Sequence, residues 1–113
     1  MSDIWIEVRH DDSCMWQLKG RTWDEEPKLD VLQEVVDGYI EFVPNEYLSH
    51  DVIGMIVNEE GMLRQLPVNV LATQQLTMAA SQPQGTPRIV GNAILKVDEE
   101  FITKDYWFRG EEE

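Results

Sequence analysis

The sequence predicts an α+β fold: one domain in which a mixed or antiparallel sheet of about five to six strands carries two helices on one face. Three observations lead there. Within residues 1–100, apolar residues recur at helical spacing in two short stretches, one after Asp30 and one after Asn69, and Phe101, Ile102 and Tyr106 come near that spacing in the tail. Runs of strand length, alternating or continuously apolar, flank both stretches. Gly, Pro and Asn mark nearly every change of period. With 113 residues, the chain is long enough to bury a modest core without disulfides, and the single Cys14 excludes an intramolecular one. The domain is expected over residues 1–100, with residues 101–113 as an acidic–aromatic tail that is either partly helical and packed back on the domain or disordered until it docks on a partner.

In chain order, Ile4, Ile6 and Val8 alternate with Trp5, Glu7 and Arg9 as a first strand. His10–Ser13 reads as a turn. Cys14–Leu18 reads as a second strand, ended by Lys19-Gly20 and continued by Thr22-Trp23. Trp5, Trp16 and Trp23 are expected as partly buried anchors across the sheet. Asp30 and Gln33 form a capping box for a helix whose apolar side is Leu32, Val35 and Val36, with Gly38 as its left-handed stop. That helix has only about two turns, too few to be stable unless packed against a partner.

Tyr39–Val43 reads as a strand closed by Pro44, and Val52–Val57 as a nearly continuous apolar strand interrupted by Gly54. Asn58-Glu59-Glu60-Gly61 then reads as a turn leading into a short strand, Met62–Leu66. Asn69 caps a second helix running from Val70 to about Ala80. Ser81–Pro87 is a loop, and Arg88–Val97 the last strand, with Gly91 at a bulge or close backbone approach. The expected core is Trp5 or Ile6 with Leu32, Val36, Ile40, Phe42, Ile53, Ile56, Leu71, Leu76 and Ile94.

Four short motifs mark this central region: DGYIE at Asp37–Glu41, NEEG at Asn58–Gly61, LPVN at Leu66–Asn69 and IVG at Ile89–Gly91. Their order and spacing over about residues 29–97 resemble a small domain family of unknown function found in phage and bacterial proteins. The family pattern has a glycine pair before the tyrosine, and here Asp37 stands in the first position. The resemblance implies an α+β module often encoded on mobile elements. It implies no catalytic residues.

Charge is the other informative property. The net charge is −13, which argues against direct contact with a phosphate backbone. From Gly61 to Val97 there is no acidic residue, only Arg64, Arg88 and Lys96, so that third of the chain is +3 and the remainder −16. No run is long enough to span a membrane, and no basic-then-apolar leader opens the chain, so a cytoplasmic location is expected.

Catalytic constellations are not apparent. His10 and His50 each adjoin an aspartate (Asp11 and Asp51), a juxtaposition that acidic chains generate freely. Adjacent turn carboxylates such as Glu59 and Glu60 diverge rather than flank a scissile bond. No nucleophile has a base and an orienting group. The expectation is therefore a non-enzymatic protein without a cofactor or metal, of phage or mobile-element type, that binds a basic protein and at the extreme mimics DNA. The candidate contacts are Glu59 and Glu60 on the turn, Gln74 and Gln75 on the uncharged side of the second helix, and Phe101, Tyr106, Trp107 and Phe108 in the tail. One alternative is a self-associating subunit using residues 61–97, giving a homodimer. Another is a domain adapted to high salt, which would lose stability at low ionic strength.

Overall fold

The computed structural model describes residues 3–12, 20–49, 52–76 and 88–98. Strand β1 (Asp3–Val8) buries Ile4, Ile6 and Val8 on one face, as its alternation dictates. Strand β2 (Thr22–Trp23) pairs with it on one side, and the last described strand, β5 (Ala93–Asp98), on the other. Strands β4 (Val52–Asn58) and β3 (Ile40–Phe42) complete the sheet. The order is β2-β1-β5-β4-β3, with every pairing antiparallel. The fold class is thus α+β, a five-stranded antiparallel sheet with two helices.

The register sorts the core into two clusters. Ile4 lies opposite Val97, Ile6 opposite Leu95 and Val8 opposite Ala93, and Met55 joins Leu95 from the other side. These residues pack with Leu48, Val57, Leu71 and Ala72. On the reverse face, Ile56 and Ile94 lie opposite one another and pack under Leu32, Val35 and Val36. Those three belong to helix α1 (Leu29–Val36), and Leu71 and Ala72 to helix α2 (Val70–Thr73). Each face of the sheet therefore has its own helix, instead of one face carrying both. The central strands β4 and β5 are buried on both sides as a result, which is why they read as nearly continuous apolar runs.

Local departures from the sequence reading have identifiable causes. Helix α1 begins at Leu29, with Lys28 at the cap and no side-chain cap bond; Asp30 sits inside the first turn and accepts from its neighbour Val31 N–H at 2.9 Å. Its left-handed terminator is Asp37 (φ 64°), and the Gly38 N–H closes the turn onto the Gln33 carbonyl. Ile53 leaves the core because the register slips there: Val52 faces Val97 and Gly54 faces Lys96, so Ile53 is the extra residue of a bulge. Phe42 ends the edge strand beyond the cover of α1 and is 61% exposed. Ile40 and Leu76 are half-buried, as are Trp5 and Trp23, while Ile6 is fully buried.

The expected strand at Met62–Leu66 does not form. Asn58 captures the N–H groups of Glu60 and Gly61 with its side chain and carbonyl. Bonds from Arg64 N–H to Glu60 and from Leu66 N–H to Gly61 then coil the backbone into successive turns, with Gln65 left-handed at φ 55°. Helix α2 is a single turn continued by turn bonds to Leu76, and regular pairing of the last strand starts only at Ala93. Gly91 (φ 76°) precedes that strand, and a Cβ there would meet Leu66 Cδ1 at 2.8 Å. Cys14–Leu18, Trp16, Ala80, the Ser81–Pro87 loop and the tail lie outside the described residues.

Candidate interaction surface

One end of the sheet is held by asparagines. Asn58, at the end of β4, donates to the Val36 carbonyl at 2.9 Å and the Asp37 carbonyl at 3.0 Å, satisfying two backbone acceptors that the end of α1 leaves open. Arg64 reaches the same Asp37 carbonyl and pairs with its carboxylate at 3.1 Å. Asn92 donates to Val35 at 3.3 Å. On the other face, Asn69 caps α2 by accepting from Ala72 N–H at 3.0 Å, while its amide donates to the carbonyls of Val8 and Gly91 at 2.9 and 2.8 Å. The asparagines of the NEEG and LPVN motifs are thus internal ties. The Gly38 of the DGYIE motif is required too: its φ of 156° is one that side chains rarely adopt, and a Cβ would stand 2.6 Å from the Asn58 amide nitrogen.

Strand β3 is the outermost strand on its side of the sheet. The Glu59 N–H bonds to the Tyr39 carbonyl at 2.8 Å and the Val43 N–H to the Met55 carbonyl at 3.0 Å. By the alternation of an antiparallel ladder, the backbone groups of Ile40 and Phe42 therefore face away from β4. Among the described residues nothing pairs with them. Inside this edge, on the α1 side, lies a cleft of about 270 Å³ whose lining includes Trp5, Phe42, Ile56 and Ile94 with the charged Glu26 and Lys96. The Lys96 ammonium stands 5.3 Å from the Trp5 ring centre and 3.6 Å from the Asp3 carboxylate.

The charge carried by residues 29–63 is of one sign, with Lys28 and Arg64 standing just outside the segment. Residues 29–63 include eight acidic residues and no lysine or arginine. Of these, Asp30, Glu34, Asp37, Glu41, Glu46, Glu59 and Glu60 are exposed. They are carried by α1, which covers β4 and β5, and by β3, the 3-10 turn Asn45–Tyr47 and the turn after β4, which adjoin the open edge. Elsewhere a buried carboxylate, Glu7, accepts from the Arg21 backbone N–H at 3.0 Å and pairs with the Arg21 and Arg9 side chains at 3.3 and 3.4 Å. This network ties β1 to the strand beside it, so Glu7 is a structural group, although its place in the alternating pattern reads as solvent-facing.

The sequence-derived candidates separate on inspection. Glu59 and Glu60 are exposed at the β3 end of the sheet, and Gln74 is exposed beyond α2. Gln75 is buried, donating to the Leu71 carbonyl at 3.2 Å, while its own carbonyl accepts from Ser49 N–H. Phe101, Tyr106, Trp107 and Phe108 lie outside the described residues, as does His50; His10 is exposed. Among the described residues no three metal-ligating side chains gather, and no helix is long and apolar enough to cross a membrane. The open strand edge and the exposure of Phe42 were not foreseen. The available signal was the brevity of a strand stopped by Pro44.

The family model described as Domain of unknown function (DUF3846) matches residues 12–105. The chain belongs to this family. The matched range contains the whole interval of the four motifs, and with it α1, the open edge and both asparagine ties of this DUF3846 domain. No curated protein and no solved structure matches the chain.

Proposed function

We propose that this DUF3846 protein is a small, non-enzymatic interaction protein that binds a basic protein partner through the acidic border of β3. The observation that carries the reading is the absence of any lysine or arginine from residues 29–63, against eight carboxylates, of which Glu41, Glu46, Glu59 and Glu60 are exposed on β3 and the turns that adjoin it. A field of one sign steers an oppositely charged partner into encounter and rejects like-charged ones. At the extreme, the carboxylates substitute for phosphates in the nucleic-acid-binding groove of a phage or host protein. The test is capture of partners from host lysate on the intact chain, at low and high salt, beside the triple variant E41K/E59K/E60K. A basic partner held at low salt, released at high salt and lost by the folded variant is expected. Retention that ignores both salt and charge reversal overturns the reading.

A second reading has its own observation. Met62, Leu63, Val68 and Val70 are all exposed, Leu63 at 85%, within the part of the chain that lacks acidic residues. Exposed apolar side chains on a stretch free of carboxylates suit self-association. It predicts a dimer in sedimentation velocity that L63E dissolves, whereas a monomer at all concentrations removes it.

A further inference from the structure

We infer that the β3 edge is a strand-addition site, and that its occupant is an extended segment of the basic partner in which cationic and apolar residues alternate. The inference rests on the partner-binding reading above and says how that partner is held.

Natural sheets protect their edges with short strands, charges, prolines or bulges. This edge is short and carries Glu41, which turns away acidic strands and admits basic ones, and within Ile40–Phe42 it has no lysine, proline or bulge to stop pairing altogether. The backbone N–H and C=O of Ile40 and Phe42 offer four hydrogen-bonding positions on the open side. The side chains say what the incoming strand must present. Ile40 and Phe42 lie on the α1 face, beside the cleft floored by Gly54, Ile56 and Ile94. Glu41 points to the reverse face. An added strand therefore places one set of side chains along Phe42 and the cleft, and the other set beside Glu41. Apolar residues satisfy the first position and lysine or arginine the second. Exposed carboxylates beyond the ends of the edge, Glu59 and Glu60 at one and Glu46 at the other, extend the same preference along the segment.

The geometry also fixes which amides matter. In an antiparallel addition, continuing the pattern of the whole sheet, residues directly opposite Ile40 and Phe42 are the bonded ones, and their side chains share the α1 face. The apolar residues of the segment therefore donate their N–H groups to the protein, and the cationic residues point theirs to solvent.

The experiment uses a short synthetic peptide of alternating lysine and valine, and two derivatives N-methylated either at every valine or at every lysine. Binding to the full chain is followed by titration calorimetry and by amide hydrogen exchange. The expected result is that methylating the valines weakens binding about tenfold or more, that methylating the lysines does not, and that the Ile40 and Phe42 amides become protected in the complex. Equal binding of the two derivatives without that protection overturns strand addition, and leaves the acidic border acting by charge alone. Absence of binding by the parent peptide also overturns it. The partner-binding reading then stands or falls separately, on whether E41K/E59K/E60K loses the partner captured from lysate.

Discussion

The side chains of Asn69 and Asn58 each make three hydrogen bonds at the same end of the sheet, yet they sit in different surroundings. Asn69 is wholly buried, and its three partners belong to α2, β1 and the approach to β5. Asn58 is nearly as buried, but its bonds run to the outer end of α1 and to the exposed turn at Glu60. The first tie joins three elements inside the core. The second fastens the rim where the acidic edge begins. A polar group with no route to water has no substitute partner, whereas groups at the rim can be re-solvated. Identical chemistry should therefore differ in worth.

The largest effect expected is from Asn69. Replacement by Ala strands the Val8 and Gly91 carbonyls and uncaps α2, costing about 3–5 kcal/mol in chemical denaturation. Asn69→Asp separates the two jobs, since a carboxylate keeps the cap but presents charge to two carbonyls. It should be no better than Ala, and near-native stability of the Asp variant would mean the cap alone matters. Next is Asn58→Ala, expected to cost about 2 kcal/mol and to speed amide exchange in the last turn of α1 and in residues 59–66, while the β1–β5 amides stay protected. A loss equal to that of Asn69→Ala would erase the distinction between core and rim.

The smallest effect concerns Asp37. Its left-handed backbone is one that glycine adopts without steric cost, so Asp37→Gly relieves strain while giving up an exposed ion pair with Arg64. The balance should be a gain of about 0.5 kcal/mol or less, read as a slightly higher midpoint of unfolding. A clear loss would show that the Arg64 pair holds the rim more strongly than its exposure indicates.

Much of this architecture is written in single residues. Asn69 before an apolar turn reads as a cap, and it is one. The alternation of Ile4, Ile6 and Val8 and the spacing of Leu32, Val35 and Val36 give their buried faces directly. The misreadings occur where a neighbour distant in sequence decides. Asn58 reads as an ordinary turn residue, and only the fold brings it to the end of α1. Ile53 reads as core because nothing local marks it as the extra residue of a bulge. Phe42 shares its face with Ile40, but an eight-residue helix covers only one of them. Both faces of β4 are apolar, so the pattern could not divide the helices between them. The edge itself was legible only as a short strand before a proline, since which strand lies outermost is a matter of topology.

That topology has a consequence for how the protein comes into being. The two strands that meet near the middle of the sheet, β1 and β5, are residues 3–8 and 93–98, so this pairing joins distant parts of the chain. Such contacts form late, because a long loop must close before they contribute any stability. On the ribosome, β1, α1, β3 and β4 all emerge before β5, which must insert between β1 and β4. Until residue 98 is clear of the exit tunnel, Ile6 and Met55 lack the strand that separates and covers them. The nascent chain is then an unfinished sheet with apolar faces open, a state in which a dense negative charge keeps identical chains apart while synthesis is completed.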